Sequence, residues 1–195
     1  HYPFLEETTP FFNGLSPENY LNILKEVICN NHPAENVILL EIEPEKQNTK
    51  IDFLYCNRDI GIPIVCVTAI QKKGKQLFYT NAKGEEILVK RIYNRVIFDE
   101  LELRKDLKLN FSFSDELEVE WAGHPNWFFR ISKYSMPFLK SPYVPNTQFV
   151  SEFNGIFPKD LENYVLKPLF SFAGSGVIIH VKPDDIAAIS DPENW

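Results

Sequence analysis

Val37-Ile38-Leu39-Leu40-Glu41-Ile42 is an almost unbroken apolar run, which is typical of a strand covered on both faces. A second such run extends from Ile62 to Thr68, and the residues between the two runs, about Lys46 to Asp59, have helical character. Gly61 is placed to end that helix. A strand, a helix and a strand in this order predict two parallel strands joined by a right-handed crossover. The sequence therefore predicts an α/β fold that begins with a Rossmann-like, doubly wound lobe around a parallel sheet.

One predicted helix precedes the first strand and the other follows it. Ser16 can cap the first helix, and Pro17 occupies the first helical position, where its missing N–H is harmless. The spacing of the apolar residues predicts an inward face made of Leu21, Leu24, Val27 and Ile28. The same reasoning predicts that the second helix buries Ile51, Leu54 and Tyr55.

The middle of the chain changes from a crossover unit to a hairpin. Predicted strands over 76–80 and 85–92 flank the turn Asn81-Ala82-Lys83-Gly84, whose residues suit a hairpin connection. A charged surface helix is predicted over 99–107, whereas residues 110–120 fit neither a helical nor a strand period.

The character of the sequence changes again near residue 122. Downstream of it, prolines recur and short aromatic segments replace the alternation of strands and helices. We therefore predict two units, an α/β lobe over residues 1–122 and an α+β unit over residues 123–195. The chain begins at His1 and ends at Trp195, just after a helix-like stretch, and we expect it to be an excised piece of a longer protein.

Composition argues against several classes of function. The 195 residues carry a formal net charge of −7 without an extended basic block. Nucleic acids and anionic membranes are bound through a basic face, so neither is expected as the main partner. The three cysteines form no C-x-x-C pair and the four histidines lack metal-ligand spacing, which favours reduced thiols, a cytoplasmic protein and no metal site in this chain.

The segment with the clearest chemistry lies between residues 163 and 181. Residues 163–170 and 177–181 are predicted strands, and the loop 171–176 joins them. Glycines on both sides of a serine let successive backbone N–H groups approach an anion closely. The candidate phosphate-binding residues of this loop are Ser171, Gly174, Ser175 and Gly176. The alternative is that the loop is an ordinary hairpin turn.

Lys167 lies just before the loop and adds a positive charge to it. A lysine inside an apolar run needs an anionic partner, unless its stem extends to solvent at the sheet edge. A Walker loop requires Gly-Lys-Ser/Thr followed by a helix, whereas Gly176 precedes a valine and a predicted strand. A dinucleotide fingerprint requires a glycine where Ile179 stands. The strand–loop–strand arrangement with an upstream lysine fits neither pattern.

That arrangement resembles the phosphate-covering hairpin of the ATP-grasp superfamily of carboxylate–amine ligases, in particular its glutathione synthetase-like and glutathionylspermidine synthase-like members. Three segments match the family pattern in order. Ile131-Ser132-Lys133-Tyr134, followed by Leu139 and Val144-Pro145-Asn146-Thr147, is similar to the family's opening segment S-K…L…V-P-x-T. Val165-Leu166-Lys167-Pro168 is similar to the strand V-x-K-P, and Gly174-Ser175-Gly176-Val177 is similar to the glycine loop.

The resemblance implies a pre-ATP-grasp lobe followed by the first, truncated subdomain of an ATP-grasp fold that binds ATP. It implies that Lys133 and Lys167 contact the phosphates and that the loop covers the β- and γ-phosphates. The family's Mg²⁺ ligands lie downstream of the matched segments, so Mg²⁺ is expected to bind outside this chain, and the chain alone is expected to be inactive. The parent enzyme is expected to activate a small carboxylate as an acyl phosphate, which an amine then attacks.

Two other functions stay open on the sequence. One is a non-catalytic relative that binds a nucleotide or a partner chain. The other is a simple α/β fold that binds a sugar or a nucleotide, in which residues 171–176 only form a turn. For Lys133 the alternative is a solvated side chain on a short helix over 133–139 that Ser132 caps.

Arg91 and Arg95 lie near the end of the predicted strand over 85–92. Open α/β sheets bind ligands beyond the carboxyl ends of their strands, so both arginines are candidates to bind a substrate carboxylate bidentately. Ordinary pairing with Asp99 or Glu100 is the alternative.

Overall fold

A computed structural model describes residues 11–171 and 174–195. The chain divides into two compact units, His1–Pro125 and Asn126–Trp195. The first unit contains the helices Pro17–Cys29 (α1), Lys50–Ile60 (α2) and Phe98–Leu103 (α3). Its strands are Val37–Glu41 (β1), Ile64–Cys66 (β2), Gln71–Lys73 (β3), Gln76–Thr80 (β4), Glu86–Val89 (β5), Arg91–Asn94 (β6) and Glu120–Ala122 (β7).

The second unit has less regular structure. Its helices are Trp127–Arg130 (α4) and Pro183–Ala187 (α5), and its strands are Val165–Leu166 (β8) and Ile178–Ile179 (β9). Four short 3-10 helices complete its described part: Lys133–Phe138, Val150–Phe153, Leu161–Asn163 and Pro192–Asn194. Within residues 11–171 and 174–195 of the whole chain, no helix has the length and apolar character needed to cross a membrane.

The first unit is built on a four-stranded parallel sheet with the strand order β2-β1-β6-β7. The predicted crossover is confirmed, because β1, α2 and β2 follow one another and the two strands pair in parallel. All five residues of β1 are buried, as its apolar run predicted. The α/β class of the fold is therefore confirmed.

The two faces of this sheet are covered differently. Val37 and Leu39 of β1 pack in one buried cluster with Ile28 of α1 and with Phe53 and Ile60 of α2. The opposite face packs against the three-stranded antiparallel sheet β3-β4-β5. The doubly wound prediction is therefore correct for one face only, because the hairpin predicted after the second strand packs on the opposite face, where a doubly wound fold has helices.

The ends of the first helix follow its sequence, and its inward face does so in part. The Ser16 hydroxyl accepts a hydrogen bond from the Asn19 N–H at 3.1 Å, which confirms the predicted cap. Ile28 is buried as predicted, but Val27 is 61% exposed, and Cys29 is buried instead.

The second helix turns a different face inward from the one predicted. α2 begins at Lys50, because a separate 3-10 helix occupies Pro44–Lys46, and Gly61 ends it in the left-handed conformation as predicted. Its buried residues are Phe53 and Ile60. The prediction was wrong for three residues that are about half exposed, Ile51, Leu54 and Tyr55. All three lie on other faces of the helix because Phe53 and Ile60 meet Leu39 of β1.

The predicted strand over 85–92 divides into two strands of different sheets. The break is at Lys90, whose N–H donates to the Asn36 carbonyl at 2.8 Å and whose carbonyl accepts from the Glu120 N–H at 2.9 Å. β5 therefore pairs with β4, and β6 enters the parallel sheet. β7 begins at Glu120, the last residue of the segment that fitted neither period, and pairs with β6.

α3 is shorter than the predicted helix over 99–107. The Arg104 N–H bonds to the carbonyls of Glu100 and Leu101, and the Arg104 guanidinium binds the carboxylates of Asp106 and Glu43. These contacts hold the chain in a turn directly after the helix, so it does not continue.

Candidate functional site

The hairpin predicted around the glycine loop is present. β8 and β9 pair in antiparallel fashion, with Val165 opposite Ile179 and Leu166 opposite Ile178. Both strands are shorter than the predicted ranges 163–170 and 177–181. The predicted loop 171–176 includes Phe172 and Ala173, which lie outside the described residues.

The two glycines of the loop adopt backbone angles that other residues rarely take. Gly174 has a φ of 78° and Gly176 a φ of 70°. A turn joins them to the second strand, since the Val177 N–H donates to the Gly174 carbonyl at 3.1 Å. A Cβ atom on Gly176 would lie 2.6 Å from Cγ of Pro168. Gly176 is therefore required by the fold of the loop itself, and Ser175 is exposed between the two glycines.

Lys133 reaches the beginning of this loop from a distant part of the sequence. Its Nζ donates to the Ser171 carbonyl at 2.6 Å and lies 2.7 Å from the Ser171 hydroxyl oxygen. An ammonium group has three N–H donors, so one donor is left for a further acceptor. The structure therefore brings together two of the predicted phosphate-binding residues.

Local structure and aromatic packing explain how Lys133 comes to this position. The Ser132 hydroxyl accepts from the Tyr134 N–H at 3.2 Å and starts the helix Lys133–Phe138, which confirms the predicted cap on a 3-10 helix. The Tyr134 ring stacks on Phe170 with 6.0 Å between the ring centroids. Tyr134 follows Lys133 and Phe170 precedes Ser171, so this stacking holds the ammonium next to the loop.

Lys167 is the first residue after β8 and is half-buried. Its side chain forms no ion pair or hydrogen bond with any residue in the described ranges 11–171 and 174–195. Its neighbours Leu166 and Leu169 are buried in the second unit. The described residues therefore do not supply the anionic partner from which the sequence predicted a phosphate contact.

Arg91 has a structural role within the first unit. It begins β6 and therefore lies at the amino edge of the sheet, whereas the sequence placed it near a strand's carboxyl end. Its guanidinium donates to the carbonyls of Val27 and Ile28, at the end of α1, and to the Glu120 carboxylate at 2.7 Å. A hydrogen bond from the Asn30 amide, aided by this guanidinium, lowers the pKa of Glu120. Arg91 thus joins α1 to β7.

Arg95 lies at the opposite edge of the same sheet. Its N–H donates to the Leu40 carbonyl at 2.9 Å, so it continues beside β1 where β6 ends. The chain passes from β1 to β2 on one side of it and later to β6 on its other side. The strand order therefore reverses between β1 and β6, and the carboxyl ends of these two strands lie at that point. Ligands of open α/β sheets bind at such a point. The alternative pairing with Asp99 or Glu100 is not formed.

Glu41 is a residue of this edge to which the sequence assigned no function. It is 5% exposed, and its Oε1 accepts from the Ile42 N–H at 2.8 Å. Its pKa is raised to about 7, chiefly by burial and also by the nearby Glu100, while the Ile42 N–H and Arg95 oppose the shift. The sequence held a signal for Glu41, because it is the one carboxylate inside the apolar run 37–42.

Comparison of the chain with known protein families and with curated proteins gives no match. In the part of the chain that the structure describes, no group of three or more His, Cys, Asp and Glu residues is arranged to hold a metal ion. The function is therefore argued from the two sets of residues described above, the hairpin loop of the second unit and the sheet edge of the first.

Proposed function

We propose that the second unit binds the triphosphate of ATP as part of an ATP-grasp carboxylate–amine ligase. The observation that carries the proposal is the contact of the Lys133 ammonium with Ser171, at 2.6 Å and 2.7 Å, where the glycine loop begins. These two residues are 38 positions apart in the sequence. Lys133 belongs to the opening segment that resembles the ATP-grasp pattern, and Ser171 begins the loop that leads to the segment Gly174-Ser175-Gly176-Val177.

The charges and the backbone of this unit suit a phosphate ligand. Lys133 has a free donor, and Lys167 has no partner in the described part of the chain. The exposed turn 174–176 presents backbone N–H groups of the kind that hold phosphate oxygens. Phosphoryl transfer depends on positioning and on neutralising negative charge, so lysines and backbone N–H groups at the phosphates are the parts that it needs.

In the proposed enzyme, ATP supplies a phosphoryl group that activates a small carboxylate for attack by an amine. Lys133 and Lys167 bind and orient the phosphates, and the loop 171–176 covers them and excludes water. The Mg²⁺ ligands are proposed to lie outside this chain. The chain by itself is therefore expected to bind the nucleotide without turning it over.

The test is ATP affinity after single lysine substitutions. Lys167→Met keeps the length of the side chain and removes its charge, and Lys159→Met is the matched control because Lys159 is an exposed lysine of the same unit. A hydrogen bond to a charged group contributes about 1.5–3 kcal/mol, so we expect Lys167→Met to weaken ATP binding by about 10-fold to 100-fold. Isothermal titration calorimetry with this chain measures the change. Equal affinity of the wild type and Lys167→Met would defeat the phosphate role.

Catalysis is tested separately, with the protein that contains this chain and its downstream sequence. ATP hydrolysis that depends on added amino acids or polyamines supports the ligase. ATP binding without such turnover supports the alternative, a non-catalytic relative that binds nucleotide. No ATP binding by either form of the protein overturns both.

A further inference from the structure

The carboxyl edge of the parallel sheet in the first unit gathers opposite charges that do not pair with one another. Side chains alternate along a strand, so Glu41 lies on the same face of β1 as Val37 and Leu39, which pack against the helices. The Cζ atom of Arg95 lies over the Phe53 ring of α2, at 5.6 Å from the ring centroid. The hydrogen bond from the Arg95 N–H to the Leu40 carbonyl places Arg95 on the segment of chain beside the end of β1, where Glu41 lies. Both side chains therefore lie on the helix side of the same edge.

Arg95 differs from the other arginines of the first unit. Arg58 pairs with Asp59, Arg91 with Glu120, and Arg104 with Glu43 and Asp106. Arg95 forms no ion pair or hydrogen bond with residues 11–171 or 174–195 through its side chain. The Cζ atom of Arg95 lies over the Phe53 ring at 5.6 Å from its centroid, and a guanidinium without hydrogen bonds to described residues keeps its N–H donors for a carboxylate.

Two carboxylates and a carbonyl oxygen at this edge also have unused acceptors. Oε1 of Glu41 is taken by the Ile42 N–H, and Oε1 of Glu100 accepts from the Gln47 amide at 3.1 Å. The same Gln47 amide donates to the Ile42 carbonyl at 2.9 Å, which holds Glu100 at the end of β1. The second oxygen of each carboxylate has no hydrogen bond within the described residues, and Oδ1 of Asn94 is buried without one.

We propose that this edge binds a small zwitterion, whose carboxylate is held by Arg95 and whose ammonium group is held by Glu41 and Glu100. A simple anion at Arg95 would lie beside two acidic side chains, and a simple cation at the acids would lie beside a guanidinium. Only a ligand that carries both charges satisfies all three side chains. The site lies where the strand order reverses, at the position where open α/β sheets bind ligands.

The protonation of Glu41 makes this proposal pH-dependent. Burial holds the pKa of Glu41 at about 7, so a substantial fraction of this carboxyl is neutral at that pH. The other groups that interact with it are the Glu100 carboxylate, the Arg95 guanidinium and the Ile42 N–H. A bound ammonium group favours the ionised carboxylate, so binding releases a proton. The affinity is therefore expected to rise between pH 6 and pH 8.

The experiment is a titration of this chain, followed by NMR at the backbone amides of Ile42, Asn94 and Arg95. The probes are glycine, β-alanine and 4-aminobutyrate, with acetate and methylamine as ligands that carry one charge only. We expect at least one of the three zwitterions to bind about tenfold more tightly than either single-charge ligand. Arg95→Gln should abolish this preference and Glu100→Gln should reduce it, while Arg58→Gln, in a paired and exposed arginine, should leave it unchanged.

Three results would overturn the proposal. One is acetate binding as tightly as every zwitterion, which would make the edge a simple anion site. The second is a zwitterion preference that persists in Arg95→Gln. The third is the absence of shifts at the three amides with all five probes. If Arg95→Gln is unfolded, Arg95→Lys replaces it, because it keeps the charge but loses the planar fork. The site does not depend on ATP, so Lys167→Met should bind the zwitterion as the wild type does.

Discussion

Two of the antiparallel hairpins in the described part of the chain are built in different ways. The hairpin of β4 and β5 has four paired positions, and the Asn81 side chain closes its turn by accepting hydrogen bonds from the N–H groups of Lys83 and Glu85. The hairpin of β8 and β9 has two paired positions, and its connection is held by Lys133 from another part of the second unit. The first turn is thus self-contained, whereas the second depends on a distant residue.

This difference teaches where to look for function. The first hairpin satisfies its turn locally and buries residues of both strands, such as Leu77 and Val89, in the core. The second leaves Lys167 without a partner in the described part of the chain and holds a glycine against a proline ring. Segments that keep unsatisfied charge are typical of binding sites. The substitutions below test this contrast, from the largest expected effect to the smallest.

Gly176→Ala and Gly84→Ala compare one glycine from each connection. Both have a positive φ, which costs another residue about 1–2 kcal/mol. At Gly84 an added Cβ meets no described atom within 4 Å, whereas at Gly176 it lies 2.6 Å from Pro168, and such overpacking costs about 1–3 kcal/mol more. Hydrogen exchange at Ile178 is expected to accelerate in Gly176→Ala well beyond the change at Glu86 in Gly84→Ala. Equal effects in the two hairpins would contradict the contrast.

Val89→Ala and Val165→Ala compare the two hairpins by the same change in a strand. Val89 is fully buried (0% exposed), and losing its methyl groups is expected to lower the free energy of unfolding by about 2–3 kcal/mol. Val165 is 49% exposed, so its loss is expected to stay below about 1 kcal/mol. Urea denaturation followed by circular dichroism measures both changes. A larger loss of stability in Val165→Ala than in Val89→Ala would contradict the contrast between the two hairpins.

Asn81→Ala and Lys133→Met remove the hydrogen bonds that hold each connection. Each substitution is expected to lower local stability by about 1–2 kcal/mol. Asn81→Ala should accelerate hydrogen exchange at Lys83 and Glu85, next to the changed residue. Lys133→Met should act at a distance, on the amides around Ser171, and an unchanged exchange rate there would remove the link on which the proposed phosphate site rests.

The local parts of the fold were predictable because their causes are local. Ser16 caps α1 through the N–H three residues ahead, and Gly61 ends α2 because a left-handed residue is needed there. The hairpin around residues 171–176 was likewise expected from its glycines and its flanking apolar runs. The inward face of α2 was not predictable, because several apolar stripes compete and contact with β1 selects the one that contains Phe53.

The candidate sites were also predictable in part from the sequence and in part only from the tertiary structure. Lys133 and the glycine loop were predicted from sequence motifs, and the stacking of Tyr134 on Phe170 brings them together. Arg91 and Arg95 are four positions apart and looked equivalent in the sequence. The break at Lys90 puts one at each edge of the sheet, so that Arg91 is paired and Arg95 is not.

The sequence alone determined the residue types, the caps and the turns, because hydrogen bonding and steric limits within a few residues decide them. Tertiary structure decided which strand each apolar run joins, which helix face is buried and which charges meet. Those outcomes depend on contacts between residues far apart in the chain. The buried carboxylate of Glu41 shows this best, since the pairing of β6 with β1 places Arg95 near it and the position of α3 places Glu100 near it.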